Sequence, residues 1–254
     1  MSAFPVTRLR RLRRTAPLRN LVRETRLELD QFVMPLFVAP EGLRNDALPG
    51  MSRFSVAELV REVEELVRLG CTYIQIDAPQ YAALLDPALR EGYRQRGSDP
   101  DRLIDACVEM DNAVIGTHPG VTFGLHICRG NNQSMFYASG GYEPIARVFR
   151  RSRFERFLLE YDDARSGGLE PLAAMPDDRT VVLGFVTTKT ARLESVDELR
   201  GRVREATRFI PLERLALSPQ CGFASTMEGN RLTADDQRAK LRRVAETAHL
   251  LWNP

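Results

Sequence analysis

Residues 121–130 read VTFGLHICRG and set the expectations for both fold and chemistry. The apolar run predicts a buried strand, and the two-residue period of a strand places His126 and Cys128 on the same face at its end. An imidazole and a thiol side by side are half of a zinc site. Glu160 and Cys221 stand at the ends of two other short apolar runs. The four side chains together would fill a tetrahedral zinc shell.

The composition bounds the class of protein. The chain has 254 residues, 43% hydrophobic and 28% charged, which suits one α/β barrel domain or two small domains. The net charge of +2 argues against a nucleic-acid partner, and no apolar run approaches the about 18 residues of a membrane span. No secretory signal is visible, so we expect a cytoplasmic location. The four cysteines form no CxxC pair and are expected to be core residues or metal ligands.

The first 31 residues form a distinct, arginine-rich segment. Eight arginines fall within the first 26 residues, a density that suits nucleic acid or a membrane surface. Binding of single-stranded nucleic acid would require aromatic residues between these arginines, and few are present. We therefore predict a basic N-terminal arm over 1–31, with a short helix at 18–27, that packs on another subunit in a homo-oligomer or remains mobile. A single barrel domain over 32–254 follows it.

Strands and helices alternate along the chain, which predicts an α/β fold with a parallel sheet. In a (β/α) TIM-type barrel all strand ends face one mouth, where active sites form. About six strands are clear, against about eight in a closed barrel, so we predict an incomplete barrel. Six polar residues gather at the strand ends: Asp77, His126, Cys128, Glu160, Lys189 and Cys221. The predicted strands are 32–38, 71–79, 121–128, a run ending at 160, 181–187 and 215–218, and the predicted helices are 55–69, 81–94, 100–115, 143–150, 196–209 and 234–251.

From about residue 71 to 254 the chain resembles the C-terminal catalytic domain of cobalamin-independent methionine synthase. The matching motifs are YIQID (73–77), GLHICRG (124–130), LLEYD (158–162), VLGFVTTK (182–189) and LSPQCGF (217–223). The resemblance implies that His126, Cys128, Glu160 and Cys221 bind Zn²⁺. It also implies that Asp77 binds the amine of homocysteine. Lys189 stands near the place where the full-length synthases carry a catalytic histidine.

From about residue 8 to 69 the chain resembles the N-terminus of porphobilinogen synthase (5-aminolevulinate dehydratase). The resemblance rests on the arginine-rich arm, LVRET (21–25), MPLFV (34–38) and the helix at 55–69. A seam between the two resemblances is expected near 69–72. The chemistry of that second family requires two Schiff-base lysines. The chain has only Lys189 and Lys240, and Lys240 is expected on a polar helix face, so this activity is the least favoured.

Three functional hypotheses follow. The first is a zinc-dependent methyltransferase that activates a small-molecule thiol, with homocysteine as the leading acceptor and a methyltetrahydrofolate-like methyl donor. In this hypothesis Lys189 or a nearby acid supplies a proton to the leaving group. The second is a catalytically inactive, zinc-binding fusion product. The third is a protein related to porphobilinogen synthase.

Overall fold

The computed structural model describes residues 14–21, 23, 32–40 and 53–253. The chain divides into two compact units, residues 1–53 and 54–254. The first unit contains the helix α1, Ala16–Leu21, which overlaps the helix predicted at 18–27. Arg23, within the predicted helix, is described and is not helical, whereas residues 22 and 24–27 and residues 1–13 of the arm lie outside the described residues.

The prediction of a buried strand at 32–38 is wrong. The strand β1 comprises only Phe37–Val38 and belongs, with β2 (Arg53–Phe54), to a two-stranded sheet. Val33 is 91% exposed and Met34 is 61% exposed, so the apolar run does not enter a core. Pro35 lacks the backbone N–H that a paired strand needs, which is one physical reason for the short strand.

The second unit is built on a parallel sheet whose strands lie in chain order. The strands are β3 (Tyr73–Asp77), β4 (Thr122–Ile127), β5 (Arg156–Glu160), β6 (Thr180–Val186) and β7 (Leu215–Pro219). Over the described residues this sheet has five strands and remains open. The α/β class and the incomplete barrel are thus as predicted, although the sheet lacks the sixth predicted strand. Because all five strands are parallel, their carboxyl ends meet at one edge of the sheet.

The helix α2 (Val56–Arg68) begins and ends where the sequence predicts. The Ser55 hydroxyl accepts from the Glu58 backbone N–H while the Glu58 carboxylate accepts from the Ser55 N–H, a complete capping box. After Leu69 the chain turns at Gly70, whose φ of +101° favours glycine.

The single helix predicted at 81–94 is wrong, because the structure has two helices there. They are α3 (Pro79–Leu85) and α4 (Pro87–Gln95), separated by Asp86. A residue before proline avoids the helical region, and Asp86 is extended with ψ of 121°. Its carboxylate accepts from the N–H groups of Ala88 and Leu89 and so caps α4.

The remaining helices follow the prediction closely. They are α5 (Pro100–Ile115), α6 (Ala146–Arg151), α7 (Val196–Ala206) and α8 (Ala234–Trp252). No helix within the described ranges is both long enough and apolar enough to cross a membrane.

Lys240 does not lie on a polar helix face, as the sequence suggested. It is fully buried on α8, where its Nζ donates to the Arg192 carbonyl and lies 3.4 Å from Glu194 Oε2. The opposite charge of Glu194 compensates the buried ammonium group. The helical pattern predicted that Lys240 faces solvent, but its side chain is buried and paired with Glu194.

The two faces of the five-stranded sheet differ in burial. Leu125, Phe157 and Leu183 are fully buried and form the core on one face. The register places Asp77 opposite His126 on the other face, with Leu158 beside His126. Tyr73 on this second face is 40% exposed. The functional side chains therefore lie on the more open face.

We expect Asp111 on α5 to make stability depend on pH. Its Oδ2 accepts a 2.7 Å hydrogen bond from the buried Tyr81 hydroxyl, and burial raises its pKa from 3.8 to about 6. Because the native carboxyl holds its proton more tightly than the unfolded one, its stabilisation is complete below pH 4 and is lost as the pH rises through about 6. Asp111→Asn does not titrate, so its unfolding free energy should gain about 2 kcal/mol relative to wild type between pH 4 and pH 7.

Urea denaturation at several pH values measures this difference. Glu109→Gln, an exposed position on the same helix, is the control and should follow the wild type. If the free energy of unfolding changed with pH in the same way for wild type and Asp111→Asn, the raised pKa of Asp111 would be contradicted.

Candidate metal centre

Three of the four predicted zinc ligands converge at the carboxyl edge of the sheet. His126 lies near the end of β4, Cys128 directly follows that strand, and Cys221 comes two residues after β7. One ligand atom from each of these three side chains lies within 4.8 Å of the other two. The three residues are half-buried, so an ion from solvent can reach them. Two sulfurs and one ring nitrogen are a donor set that Zn²⁺ prefers.

Asp77 orients the His126 ring. Its Oδ1 lies 3.0 Å from His126 Nδ1, and the two residues are register partners in β3 and β4. A carboxylate can only accept, so Nδ1 carries the hydrogen and Nε2 is left to bind a metal. The same Oδ1 accepts from Gln75 Nε2 at 2.9 Å, and Gln75 Oε1 accepts from the Tyr73 hydroxyl at 3.0 Å. A line of hydrogen bonds along β3 thus holds the carboxylate in place.

The charges of the site suit a cation. The hydrogen bond to His126 lowers the pKa of Asp77. Burial of His126 disfavours its charged form, but Asp77 and the charge on Cys221 outweigh burial and raise its pKa. A hydrogen bond from the Cys128 thiol lowers the pKa of Cys221 to about 5 and raises the pKa of Cys128. One thiolate is therefore present at neutral pH even without an ion.

Glu160, the fourth predicted ligand, is fully buried at the end of β5 and is not a member of the three-residue group. Its Oε2 accepts from the Arg129 backbone N–H at 2.6 Å and from Gln220 Nε2 at 3.3 Å. Its Oε1 lies 3.4 Å from an Arg165 nitrogen but accepts no hydrogen bond from the described residues. Burial raises the pKa of Glu160, against the opposing charge of Lys189.

Lys189 lies beside Glu160, in the loop that follows β6. Its side chain is 7% exposed, and its Nζ lies 3.9 Å from Glu160 Oε1. Among the described residues no group accepts a hydrogen bond from this Nζ. The structure therefore places the Lys189 ammonium beside the Glu160 carboxylate, with no hydrogen-bond acceptor for it among the described residues.

Several residues of the site were missed at the level of sequence. Gln220 and Asn131 are 2% and 5% exposed, and both connect loops around the three-residue group. Arg129 is fully buried and donates from its side chain to the Gly140 and Glu160 carbonyls. A signal was available, because each of these polar residues follows a strand end. A cavity of about 210 Å³ adjoins His126 and Cys221 on the open face of the sheet.

Comparison with known proteins identifies the family. The model of the cobalamin-independent synthase catalytic domain matches residues 44–249. Because this match takes in most of the chain, the protein belongs to the family of cobalamin-independent methionine synthase catalytic domains. The match begins before the seam expected at 69–72, whose position stays a prediction.

Two curated relatives are similar to parts of the chain, and one of them is a dehydratase of the second family, beside the synthase family that the family model shows. YxjG of Bacillus subtilis is 44% identical over 186 residues, which are 72% of this chain and 49% of YxjG. The delta-aminolevulinic acid dehydratase of Methanothermus sociabilis is 32% identical over 111 residues, 42% of this chain and 32% of the dehydratase. The chain spans about half the length of YxjG. Both resemblances drawn from the sequence are therefore confirmed.

A solved structure shares the fold. The B12-independent methionine synthase of Shewanella sp. W3-18-1, in complex with selenomethionine, matches with a TM-score of 0.59 and 19% identity. The match covers 78% of this chain and 53% of that chain. This likeness confirms the fold class.

The ligand assignment leads to a first prediction at this site. His126→Ala and Cys221→Ser should each abolish stoichiometric zinc, because each removes one of the three nitrogen and sulfur donors that lie together in the site. Elemental analysis of purified protein measures the metal. Cys71→Ser, at a cysteine whose thiol donates to the Tyr73 carbonyl and is not a member of the three-residue group, is the matched control and should keep its zinc. Stoichiometric zinc in either ligand variant would refute the assignment.

The Asp77–His126 contact leads to a second prediction. Asp77→Asn should weaken zinc binding by about 10- to 100-fold, because the ring loses the carboxylate that fixes its tautomer. Competition with a chromophoric chelator measures the dissociation constant. Asp178→Asn, an exposed carboxylate elsewhere, provides the control. Equal zinc affinities for wild type and Asp77→Asn would show that Asp77 does not orient the ligand.

Proposed function

We propose that this protein is a zinc-dependent thiol S-methyltransferase of the cobalamin-independent methionine synthase type. Homocysteine is the leading acceptor, and a methyltetrahydrofolate-like compound is the leading methyl donor. The observation that carries the proposal is the approach of His126, Cys128 and Cys221 to within 4.8 Å of one another. Membership of the family supports it further.

The residues fit the proposed ion. His126, Cys128 and Cys221 would hold it, with Glu160 as the proposed fourth ligand. The buried Oε1 of Glu160 accepts no hydrogen bond from the described residues, so it can take a new partner without breaking one. When bound, zinc stabilises the thiolate form of a substrate thiol at neutral pH.

Lys189 is the proposed proton donor. The nitrogen that loses the methyl group is a poor leaving group and requires protonation. The Lys189 ammonium is buried beside Glu160, and its protons have no acceptor among the described groups. The carboxylate neutralises the ammonium, while the proton stays available to a substrate nitrogen that enters the site.

Asp77 is proposed to bind the amine of the substrate as well as to orient His126. Its Oδ1 accepts from both His126 and Gln75, which leaves Oδ2 for the substrate ammonium group. The side chain is 71% exposed, so a small molecule can reach it. One carboxylate would then place the substrate amine close to the metal ligand.

The alternative is a zinc-binding protein without methyltransferase activity. It is favoured by the sheet, which remains open over the described residues. The porphobilinogen synthase reaction is opposed by Lys240, which is buried against Glu194.

We also propose a cytoplasmic location, where thiols stay reduced, in keeping with four free cysteines. Assembly into a homo-oligomer through the basic arm remains part of the proposal.

Removal of the Lys189 ammonium tests the mechanism. Lys189→Met should lower the rate of methionine formation by at least about 100-fold, because a general acid contributes about 10²–10⁴. Zinc-loaded protein is incubated with homocysteine and methyltetrahydrofolate, and methionine is measured by mass spectrometry. Zinc content should stay unchanged.

Arg192→Met, in the same loop but with an exposed side chain, is the matched control and should retain the wild-type rate. Wild-type protein that holds one zinc yet forms no methionine would favour the inactive alternative. An unchanged rate in Lys189→Met would remove Lys189 from the mechanism.

A further inference from the structure

One buried amide connects three loops around the metal centre. Asn131, in the loop after β4, is 5% exposed. Its Nδ2 lies 2.7 Å from the Gly222 carbonyl, 3.0 Å from Ser225 Oγ and 3.2 Å from Thr188 Oγ1. Thr188 belongs to the loop after β6, and the other two belong to the loop after β7. A single side chain therefore fixes the geometry of all three loops.

The orientation of the Asn131 amide is determined by its neighbours. The Gly222 carbonyl can only accept, so the atom that faces it must be the nitrogen. On the other side, Asn131 Oδ1 accepts from Asn230 Nδ2 at 3.0 Å, and Asn230 Nδ2 also donates to the Thr188 carbonyl at 2.9 Å. The Asn131 nitrogen cannot accept a hydrogen bond, so the Ser225 hydroxyl proton has no acceptor on this side.

This arrangement determines what the Ser225 hydroxyl does. Ser225 Oγ lies 3.4 Å from Cys221 Sγ, and either atom could donate. Since Asn131 Nδ2 cannot accept the hydroxyl proton, the Cys221 sulfur is the acceptor that the described residues offer to Ser225. Ser225 is exposed, so without Asn131 its hydroxyl would rotate freely in water.

We propose that Ser225, held by Asn131, is a positioning residue that directs its hydroxyl proton to the Cys221 sulfur and so makes this thiolate a weaker nucleophile than the substrate thiol. The inference rests on the proposed function. A methyltransferase with two thiolates of its own beside an electrophilic methyl group must avoid methylating itself. A hydrogen bond to a thiolate withdraws charge from the sulfur and lowers its reactivity.

The two cysteines differ in a way that makes the proposal testable. The Cys128 sulfur is contacted by the Gly130 backbone N–H, and the Cys221 sulfur by the Gly222 backbone N–H. No substitution of Ser225 removes these backbone contacts. Among the described residues, a side-chain hydroxyl contacts Cys221 but not Cys128, so Cys128 is an internal reference within the same molecule.

The experiment is alkylation of zinc-loaded protein by iodoacetamide, followed by peptide mass spectrometry. The thiolate sulfur attacks the methylene carbon, the sulfur–carbon bond forms, and iodide leaves with the electron pair of the carbon–iodine bond. In Ser225→Ala we expect Cys221 to react about tenfold faster than in wild type, the change that corresponds to the loss of one hydrogen bond to a charged group. The Cys128 rate should not change.

Three further variants isolate the hydroxyl. Ser225→Thr keeps it and should restore the wild-type rate. Thr226→Ala removes the neighbouring hydroxyl, which contacts Asn132 and not Cys221, and should also react as wild type. Asn131→Leu removes the amide that holds Ser225 beside the sulfur, and should accelerate Cys221 more than Cys128.

The outcomes separate the inference from the function on which it rests. An unchanged Cys221 rate in Ser225→Ala, or an equal rise at Cys128 and Cys221, would overturn the inference, because a loosened loop would affect both sulfurs. Metal analysis before alkylation tests the proposed zinc function itself. If the wild-type protein bound no zinc, the proposed zinc function would be overturned. The proposed effect of Ser225 on a zinc-bound Cys221 thiolate would then be overturned as well.

Discussion

The parallel pairing of β3 with β4 places Asp77 directly opposite His126, and the hydrogen bond between them depends on that register. The same geometry, repeated across the sheet, brings the ends of β5, β6 and β7 to the same edge. A shift of one residue in any pair would move its side chain to the opposite face. The metal ligands are therefore a consequence of sheet register, and the loops adjust only the last contacts.

The site could be predicted where strand period and chain order determine the answer. His126 and Cys128 follow from the alternation of one strand, and Cys221 from the parallel order of the sheet. Glu160 was placed at the correct strand end, but its contacts with the Arg129 backbone and Gln220 depend on tertiary packing. The strand-end positions of the site residues can be read from local sequence. The hydrogen-bond partners of the buried Glu160 carboxylate depend on the tertiary structure.

The errors have separate physical causes. Residues 32–38 read as a core strand because they are apolar, yet the structure leaves them largely exposed. The apolar pattern at 81–94 continues through Asp86, so periodicity hid a break that the following proline requires. Lys240 was assigned to solvent because lysine is seldom buried without a partner, and the partner, Glu194, lies 46 residues away.

The contacts around Asn131 also bear on how the protein is held together. Strands in chain order pair only with their neighbours, so little in the sheet itself ties its early part to its late part. The Asn131–Gly222 hydrogen bond joins residues 91 positions apart, and the proposed ion would join His126 and Cys128 to Cys221 over a similar interval. Such an ion acts as a removable cross-link, and its binding energy adds to the stability of the folded chain. Zinc supply would then govern the lifetime of the protein as well as its chemistry.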